Sequence, residues 1–273
     1  MINYLKETLV SASADTTIKL WDTDTLKCTH TLVGHTKRVL SLCATNTNTN
    51  RLLFSGSSDC TIKMWDLTSG ECRGTLYGHD GAVGALIITR KENELISGSY
   101  DATIKIWDMA SGECLRTLYG HENGVIDFFF MREYALISCS CLVSCSNDET
   151  IKLWDLITGN CIRTLVGSYG NIGAMQLTRS GVLICSADER LKLWDLKEGK
   201  ILHTLRGEHK EPVTDLMLTR DEQYLITCAQ DGLVKVWDLQ TLKCAKTLKG
   251  HKGYVNAMAM SREDKLFTAS QDN

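Results

Sequence analysis

Every tryptophan in this 273-residue chain is followed by an aspartate: Trp21-Asp22, Trp65-Asp66, Trp107-Asp108, Trp154-Asp155, Trp194-Asp195 and Trp237-Asp238. Successive pairs lie 44, 42, 47, 40 and 43 residues apart. A unit of that length is one supersecondary element that cannot bury its own apolar face, so it must pack on copies of itself. A Gly-His pair follows most of the Trp-Asp pairs at a regular interval: Gly34-His35, Gly78-His79, Gly120-His121 and Gly250-His251. The fifth repeat reads Gly167-Ser168 instead, and the sixth Gly207-Glu208-His209, with one residue inserted. Stretches such as Thr61–Trp65 alternate at period two, and Leu95–Ser99 is short and β-compatible. Turn-rich segments separate them, among them Ser58-Asp59, Thr68-Ser69-Gly70 and Arg90-Lys91-Glu92-Asn93. The pattern predicts an all-β chain of many short strands.

Gly-His and Trp-Asp marks at this period resemble the WD40 family along the whole chain, and the resemblance implies four-stranded propeller blades. One domain over residues 1–273 is expected, with repeats near 1–33, 34–77, 78–119, 120–166, 167–206, 207–249 and 250–273. The segment before the second repeat reads as three strands and 250–273 as two, which gives 25 strands in all. The expectation is a seven-bladed arrangement with incomplete first and last blades, six blades being the alternative.

The resemblance also implies a hydrogen-bonded tetrad of His, Ser, Asp and Trp within each repeat. The matching sets are His35/Ser57/Asp59/Trp65, His79/Ser99/Asp101/Trp107 and His121/Ser146/Asp148/Trp154. A buried indole N–H needs a hydroxyl acceptor, and an imidazole can bridge that hydroxyl to a carboxylate. The fifth repeat keeps Ser186, Asp188 and Trp194 but has Ser168 in the His position. The sixth keeps His209, Asp231 and Trp237 but has Ala229 in the Ser position, so both blades are expected to be the weakest. Ser, His and Asp together invite a catalytic reading, but a constellation copied from repeat to repeat, always beside the same Trp, is architecture.

The cysteines follow the same register. Cys28, Cys72, Cys114, Cys161 and Cys244 share one slot, filled by Ile201 in the fifth repeat, which predicts an apolar position. Cys145, Cys185 and Cys228 stand three residues before the tetrad Asp, where Ala12, Gly56, Gly98 and Ala269 stand elsewhere, which predicts a small slot. Cys43, Cys60, Cys139 and Cys141 are outside both series. Cys139-Ser140-Cys141 with Cys145 has the look of a metal comb, but nothing completes four ligands, and Leu136–Ser140 reads as a second copy of the strand Leu142–Ser146. No metal and no cofactor are expected. Phosphate-cradling glycine loops and HExxH are absent from the sequence.

A net charge of -3 leaves no basic field for nucleic acid, and no apolar run is long enough for a spanning helix. The first residues lack a signal peptide's pattern, so the twelve cysteines are expected to be reduced thiols in an intracellular protein, cytoplasmic or nuclear. Arg90, Arg179, Arg220 and Arg262 recur in one turn, three of them beside acidic residues, which predicts local ion pairs rather than a basic patch. The Thr45–Asn50 run reads as a solvated polar loop.

The family's usual top-face contact positions map onto Arg38, Leu40 and Ser58; Ala82, Gly84 and Tyr100; and Gly124, Ile126 and Asn147. Further round they map onto Asn171, Gly173 and Ala187; Pro212, Thr214 and Gln230; and Tyr254, Asn256 and Gln271. Two tyrosines, one arginine and several amides suit an extended peptide from a partner protein, centred on the second and third repeats and extending to the last. Ala82 and Gly84 are expected to leave room for it. The wording Ser111–His121 resembles the propellers of F-box WD substrate receptors in ubiquitin ligases, but only Arg38 matches their phosphate-binding arginines. The slots that clamp arginine in propellers scaffolding histone methyltransferases carry neither the Phe pair nor the Asp. A non-catalytic interaction scaffold is the expected function, with no nucleic-acid partner and no membrane insertion. A ligase receptor is the runner-up and an enzyme the contrasting class.

Overall fold

The computed structural model describes residues 2–5, 8–45, 51–89, 91–130, 141–167, 170, 172–205, 209–261 and 264–272. Among them every regular element is a β-strand, and no helix is long and apolar enough to cross a membrane. Cys139, the Leu136–Ser140 repeat of a strand, Arg90, Arg262, Ser168 and Asn171 lie outside the described residues.

The chain divides into two compact units, Met1–Ile126 with Met260–Lys265, and Asp127–Ala259 with Leu266–Asn273. The first holds three antiparallel sheets of four strands, each in chain order. Blade 1 is β1 (Ile2–Leu5), β2 (Thr8–Ala12), β3 (Ile18–Asp22) and β4 (Cys28–Leu32). Blade 2 is β5 (Val39–Ala44), β6 (Leu52–Ser57), β7 (Ile62–Asp66) and β8 (Cys72–Leu76). Blade 3 is β9 (Val83–Ile88), β10 (Glu94–Ser99), β11 (Ile104–Asp108) and β12 (Cys114–Leu118). Their apolar faces meet between sheets. Val10, Ile18, Leu20 and Leu32 of blade 1 pack on Val39, Leu42, Leu53 and Trp65 of blade 2. Phe54, Ile62 and Leu76 pack in turn on Val83, Leu95 and Trp107 of blade 3. Burial of each such side chain contributes about 1.5–3 kcal/mol.

The second unit repeats the plan. Blade 4 is β13 (Val125–Phe130), β14 (Cys141–Ser146), β15 (Thr150–Asp155) and β16 (Cys161–Val166). Blade 5 is β17 (Met175–Leu177), β18 (Val182–Ala187), β19 (Arg190–Asp195) and β20 (Lys200–Leu205). Blade 6 is β21 (Val213–Leu218), β22 (Tyr224–Ala229), β23 (Val234–Asp238) and β24 (Lys243–Leu248). A two-stranded sheet of β25 (Val255–Met260) and β26 (Leu266–Ser270) follows.

Six blades are therefore complete, as in the six-bladed alternative, and the expected incomplete first blade is corrected. Ile2–Leu5 pairs antiparallel with Thr8–Ser11, Asn3 opposite Val10. Four residues are too few for period-two alternation to stand out, which is why this strand was illegible in the sequence.

The apolar reading of the shared cysteine slot is corrected as well. Just before each third-strand tryptophan the pairing with the outer strand shifts by one residue, so Trp65 faces Cys72 and Trp107 faces Cys114 across a bulge. Cys28, Cys72, Cys114 and Cys161 are exposed there, each with its Sγ turned to the carbonyl oxygen two residues on, at 3.4–3.5 Å. The slot tolerates a thiol because it is a bulge at the sheet's outer edge.

Candidate functional site

In blade 2, β6 and β7 pair with Leu53 opposite Trp65 and Ser55 opposite Lys63. Trp65 Nε1 donates to Ser55 Oγ at 2.8 Å, His35 Nε2 lies 2.7 Å from the same oxygen, and His35 Nδ1 lies 2.8 Å from Asp59 Oδ2. An indole can only donate and a carboxylate only accept, so the protons run one way, from Trp65 to Ser55 to His35 to Asp59. Blade 3 repeats this with Trp107, Ser97, His79 and Asp101, at 2.8, 2.7 and 2.7 Å. In blade 4 Trp154 Nε1 donates to Ser144 at 2.7 Å, and His121 is buried.

The hydroxyl is thus two residues earlier than expected, and Ser57, Ser99 and Ser146 are corrected to Ser55, Ser97 and Ser144. Ser57, Ser99 and Ser146 instead accept the amide N–H of Asp59, Asp101 and Asp148 at 3.1 Å. Reach decides between the two serines. The indole spans one two-residue rung of the neighbouring strand, about 6.6 Å, and a second rung is out of range. Both serines share a face, so alternation alone cannot separate them.

Burial pushes the Asp59 carboxyl up, but the Thr61 hydroxyl, the Thr36 amide and His35 outweigh it and hold the group well below the usual carboxylate range. The same balance, with His79 the leading hydrogen bond, holds Asp101 low. Burial also lowers His35 against the pull of Asp59, which keeps the imidazole neutral. Loss of an aspartate's partners would leave a part-buried carboxylate without its donors. The tetrads of blades 2, 3 and 6 bond the interior of their blades, with His35, His79 and His209 buried.

Blades 5 and 6 depart from expectation in opposite directions. In blade 6, Trp237 Nε1 donates to Thr227 Oγ1 at 2.9 Å, His209 Nε2 lies 2.8 Å from that oxygen, and Nδ1 lies 2.9 Å from Asp231. This tetrad is complete, with threonine as its hydroxyl, so the weakness inferred from Ala229 is corrected. In blade 5 the turn between β18 and β19 is Asp188-Glu189 alone, with Ala187 opposite Arg190, whereas blade 2 has Ser58–Thr61 between its strands. Leu183 faces Trp194, so the rung of the acceptor falls on Cys185, and Ser186 takes the register of Gly56. Ser186 Oγ accepts the amides of Gly173 and Ala174, both at 3.0 Å. Trp194 Nε1 is buried with no hydrogen bond of ordinary geometry; the Cys185 thiol beside it is a weak acceptor, and burial pushes that thiol up to about 12 against the opposing pull of the indole N–H.

The expected contact residues sit at the end of the blades where the first strand begins and the second ends. Backbone bonds join the two slots of a blade: Ser58 N–H donates to Arg38 O, Tyr100 to Ala82, Gln230 to Pro212 and Gln271 to Tyr254, at 2.9–3.1 Å. In the first unit Arg38 is exposed and Leu40 half-buried. Tyr100 is 50% exposed, and its ring lies across two glycines, 3.1 Å from where a Cβ of Gly84 would stand and 3.0 Å from one at Gly124. The room foreseen above Gly84 is filled by Tyr100 itself, a correction that makes the tyrosine a fixed feature rather than a wall of a gap. In the second unit Asn147 and Gln230 are half-buried, while Tyr254, Asn256 and Gln271 are exposed.

Two carboxylates escaped the sequence reading. Asp127 Oδ2 accepts the Met175 amide of blade 5 at 3.0 Å, and Asp215 Oδ2 accepts the Met258 amide of β25 at 2.8 Å. Desolvation pushes them up to about 7 and about 6 respectively. Their signal was a lone Asp two residues into a strand that begins with valine, Val125 or Val213. Of the recurrent arginines, Arg179 bonds Glu222 and the Arg220 carbonyl oxygen of the neighbouring blade's turn. Among the described residues no three His, Cys, Asp or Glu side chains converge as metal ligands.

The model of the WD40 family, described as WD domain, G-beta repeat, matches seven stretches: 3–22, 26–66, 70–108, 112–155, 159–195, 199–238 and 242–273. Each of the first six ends on the aspartate of a Trp-Asp pair. No curated protein matches the chain.

Proposed function

Because this chain belongs to the WD40 family, whose propellers generally bind other proteins, we propose that it is a non-catalytic interaction scaffold that holds peptide segments of partner proteins. The observation that carries this reading is the backbone bonding that fixes paired contact slots side by side at one end of the blades. Arg38, Leu40 and Tyr100 form the proposed contact set of the first unit, and Asn147, Gln230, Tyr254, Asn256 and Gln271 that of the second; Asn171 was assigned with them from sequence. Tyr and Arg are the side chains most enriched among binding hot spots, and a tyrosine fixed over Gly84 and Gly124 loses little freedom when a partner arrives. The ionisable groups of the tetrads are consumed in the blades' interiors, which supports binding over catalysis. A ubiquitin-ligase substrate receptor is the second reading, and it rests on the wording of Ser111–His121.

The test is a pull-down with the Arg38→Ala, Tyr100→Ala, Tyr254→Ala triple variant. Loss of the principal partners with unchanged circular dichroism and melting supports the assignment. Retained partners on a folded variant contradict it.

A further inference from the structure

The outermost strands of blades 2 and 6 carry opposite charge in equivalent places. β8 and β24 each end their sheet, paired on one side only with β7 and β23, and most of their residues are exposed or half-buried. In blade 2 the residue before the bulge cysteine Cys72 is Glu71, and Asp80 follows the Gly78-His79 pair. The same two places in blade 6 hold Lys243, before Cys244, and Lys252, after Gly250-His251. Between them lie Gly74 and Tyr77 in blade 2, and Lys246 and Lys249 in blade 6. Glu71, Asp80 and all four lysines are exposed, and Tyr77 is 73% exposed.

These charges are not neutralised within their blades. Arg73, the cation on β8, is bonded to Asp66 of β7, which leaves Glu71 and Asp80 to set the sign of that edge. In blade 6 the place of Arg73 is taken by Ala245. Among the described residues no ion pair involves Lys243, Lys246, Lys249, Lys252, Glu71 or Asp80. Other outer strands differ: Lys200 of β20 bonds Glu198 at 3.0 Å, and Arg163 of β16 bonds the Leu196 and Lys197 carbonyl oxygens. Like charges keep two β24 edges apart, and two β8 edges likewise, whereas β24 and β8 attract.

We propose that this chain self-associates head to tail, β24 of one copy adding antiparallel to the free edge of β8 in the next. Gly74 lies opposite Met64 and Lys246 opposite Val236, each the residue before its blade's tryptophan. Because they hold the same place, setting Gly74 opposite Lys246 brings the outward-facing N–H and C=O groups of both edges onto the same rungs. Cys72–Leu76 then runs beside Cys244–Leu248, with Glu71 opposite Lys249 and Tyr77 opposite Lys243. The first is an ion pair, and the second sets a cation on an aromatic face. The nearest atom to a Cβ at Gly74 would be Met64 Cε at 3.5 Å, so the Lys246 stem has room. The contact joins two different patches and is therefore heterologous. It is distinct from the loop-end slots of Arg38 and Tyr100.

The test is sedimentation equilibrium of the whole chain in about 50 mM and about 500 mM salt. The mean mass should rise with protein concentration at low salt and return to that of the monomer at high salt. Two variants each reverse one edge: Lys246→Glu with Lys249→Glu, and Glu71→Lys with Asp80→Lys. Either alone should associate at least about ten-fold more weakly than the native chain. Mixed together they should regain association, because the acidic edges of one then meet the basic edges of the other. That recovery needs both variants folded, so it separates lost charge from lost structure. The Arg38, Tyr100, Tyr254 triple variant should associate as the native chain does, which separates this surface from the proposed function. A native chain that is monomeric in both salts, including one that instead binds an acidic peptide at β24, would overturn the proposal. So would association that ignores the reversals, or reversed variants whose mixture stays monomeric.

Discussion

Blades 5 and 6 are neighbours of the same design, and they differ at the rung of the acceptor, in the turn that follows it, and in the fifth repeat's Ser168 where the sixth has His209. In blade 6 the residue two after the leucine is Thr227, and the donor chain from Trp237 through His209 to Asp231 is closed. In blade 5 the same rung holds Cys185, and the buried Trp194 indole has a weakly accepting thiol beside it in place of a hydroxyl. Both blades bury their tryptophan almost completely and share one apolar core, which includes Ile184, Leu191, Val213, Leu216 and Trp237. Packing is therefore held roughly constant while the polar network is switched off. The difference teaches that the fold depends on apolar contacts and strand register first, and that the tetrad adds rigidity a single blade can lose.

The widest separation between the two blades should come from the tryptophans. Trp237→Phe, like Trp107→Phe in blade 3, removes ring volume and orphans a hydroxyl and an imidazole, a loss of about 3 kcal/mol. Trp194→Phe removes volume alone and should cost about half as much, which paired thermal melts would check. Equal losses would break the comparison.

A smaller effect is expected from the hydroxyl itself. Thr227→Val removes from blade 6 the hydroxyl that blade 5 lacks on the same rung, leaves His209 Nε2 without its partner, and should cost about 2 kcal/mol. In blade 3, Ser97→Ala should cost more than Ser99→Ala, because Ser97 serves Trp107 and His79 whereas Ser99 accepts the Asp101 amide. Urea midpoints of the two serine variants give the order, and the reverse order would return the acceptor to Ser99.

Acid should sharpen the contrast further. Folded Asp59 and Asp101 titrate below their unfolded values, so the stability they contribute is complete above about pH 4 and is lost as pH falls through the folded values. His35, lowered by burial, acts in the same direction, since below about pH 6.5 the unfolded chain binds a proton that the folded imidazole resists. Melting temperature should therefore fall as pH drops from 7 to 3, and Asp59→Asn should flatten the part of that slope below about pH 4. A slope unchanged by Asp59→Asn would remove the aspartate from the account.

Much of this was legible because Trp-Asp and Gly-His are spaced by strand and turn lengths that cannot vary much in a four-stranded sheet. The aspartates and histidines of blades 2 and 3 stand at fixed distances from those marks for the same reason, with His35 beside Asp59 and His79 beside Asp101. The hydroxyl was not, because Ser55 and Ser57 share a parity and only the reach of an indole across one rung distinguishes them. Blade 5 hid its shortened turn because Asp188 keeps the same distance from Trp194 that Asp59 keeps from Trp65. The missing residue lies between the aspartate and the strand before it, and counting back from the tryptophan passes over it. Asp127 and Asp215 left only a faint signal, an Asp two residues into a strand that begins with valine, because their partners are amides on other strands.

The central claim is that the residue one rung from the tryptophan decides whether the indole is bonded. Its most direct test is amide-type hydrogen exchange of the six indole N–H groups, followed by NMR in the native chain and in Cys185→Ser. The account predicts that the Trp194 indole exchanges faster than those of Trp65, Trp107 and Trp237 in the native chain, and that Cys185→Ser slows it about ten-fold while the other indoles keep their rates. A Trp194 indole already as protected as the others, or one that ignores the new hydroxyl, would contradict it.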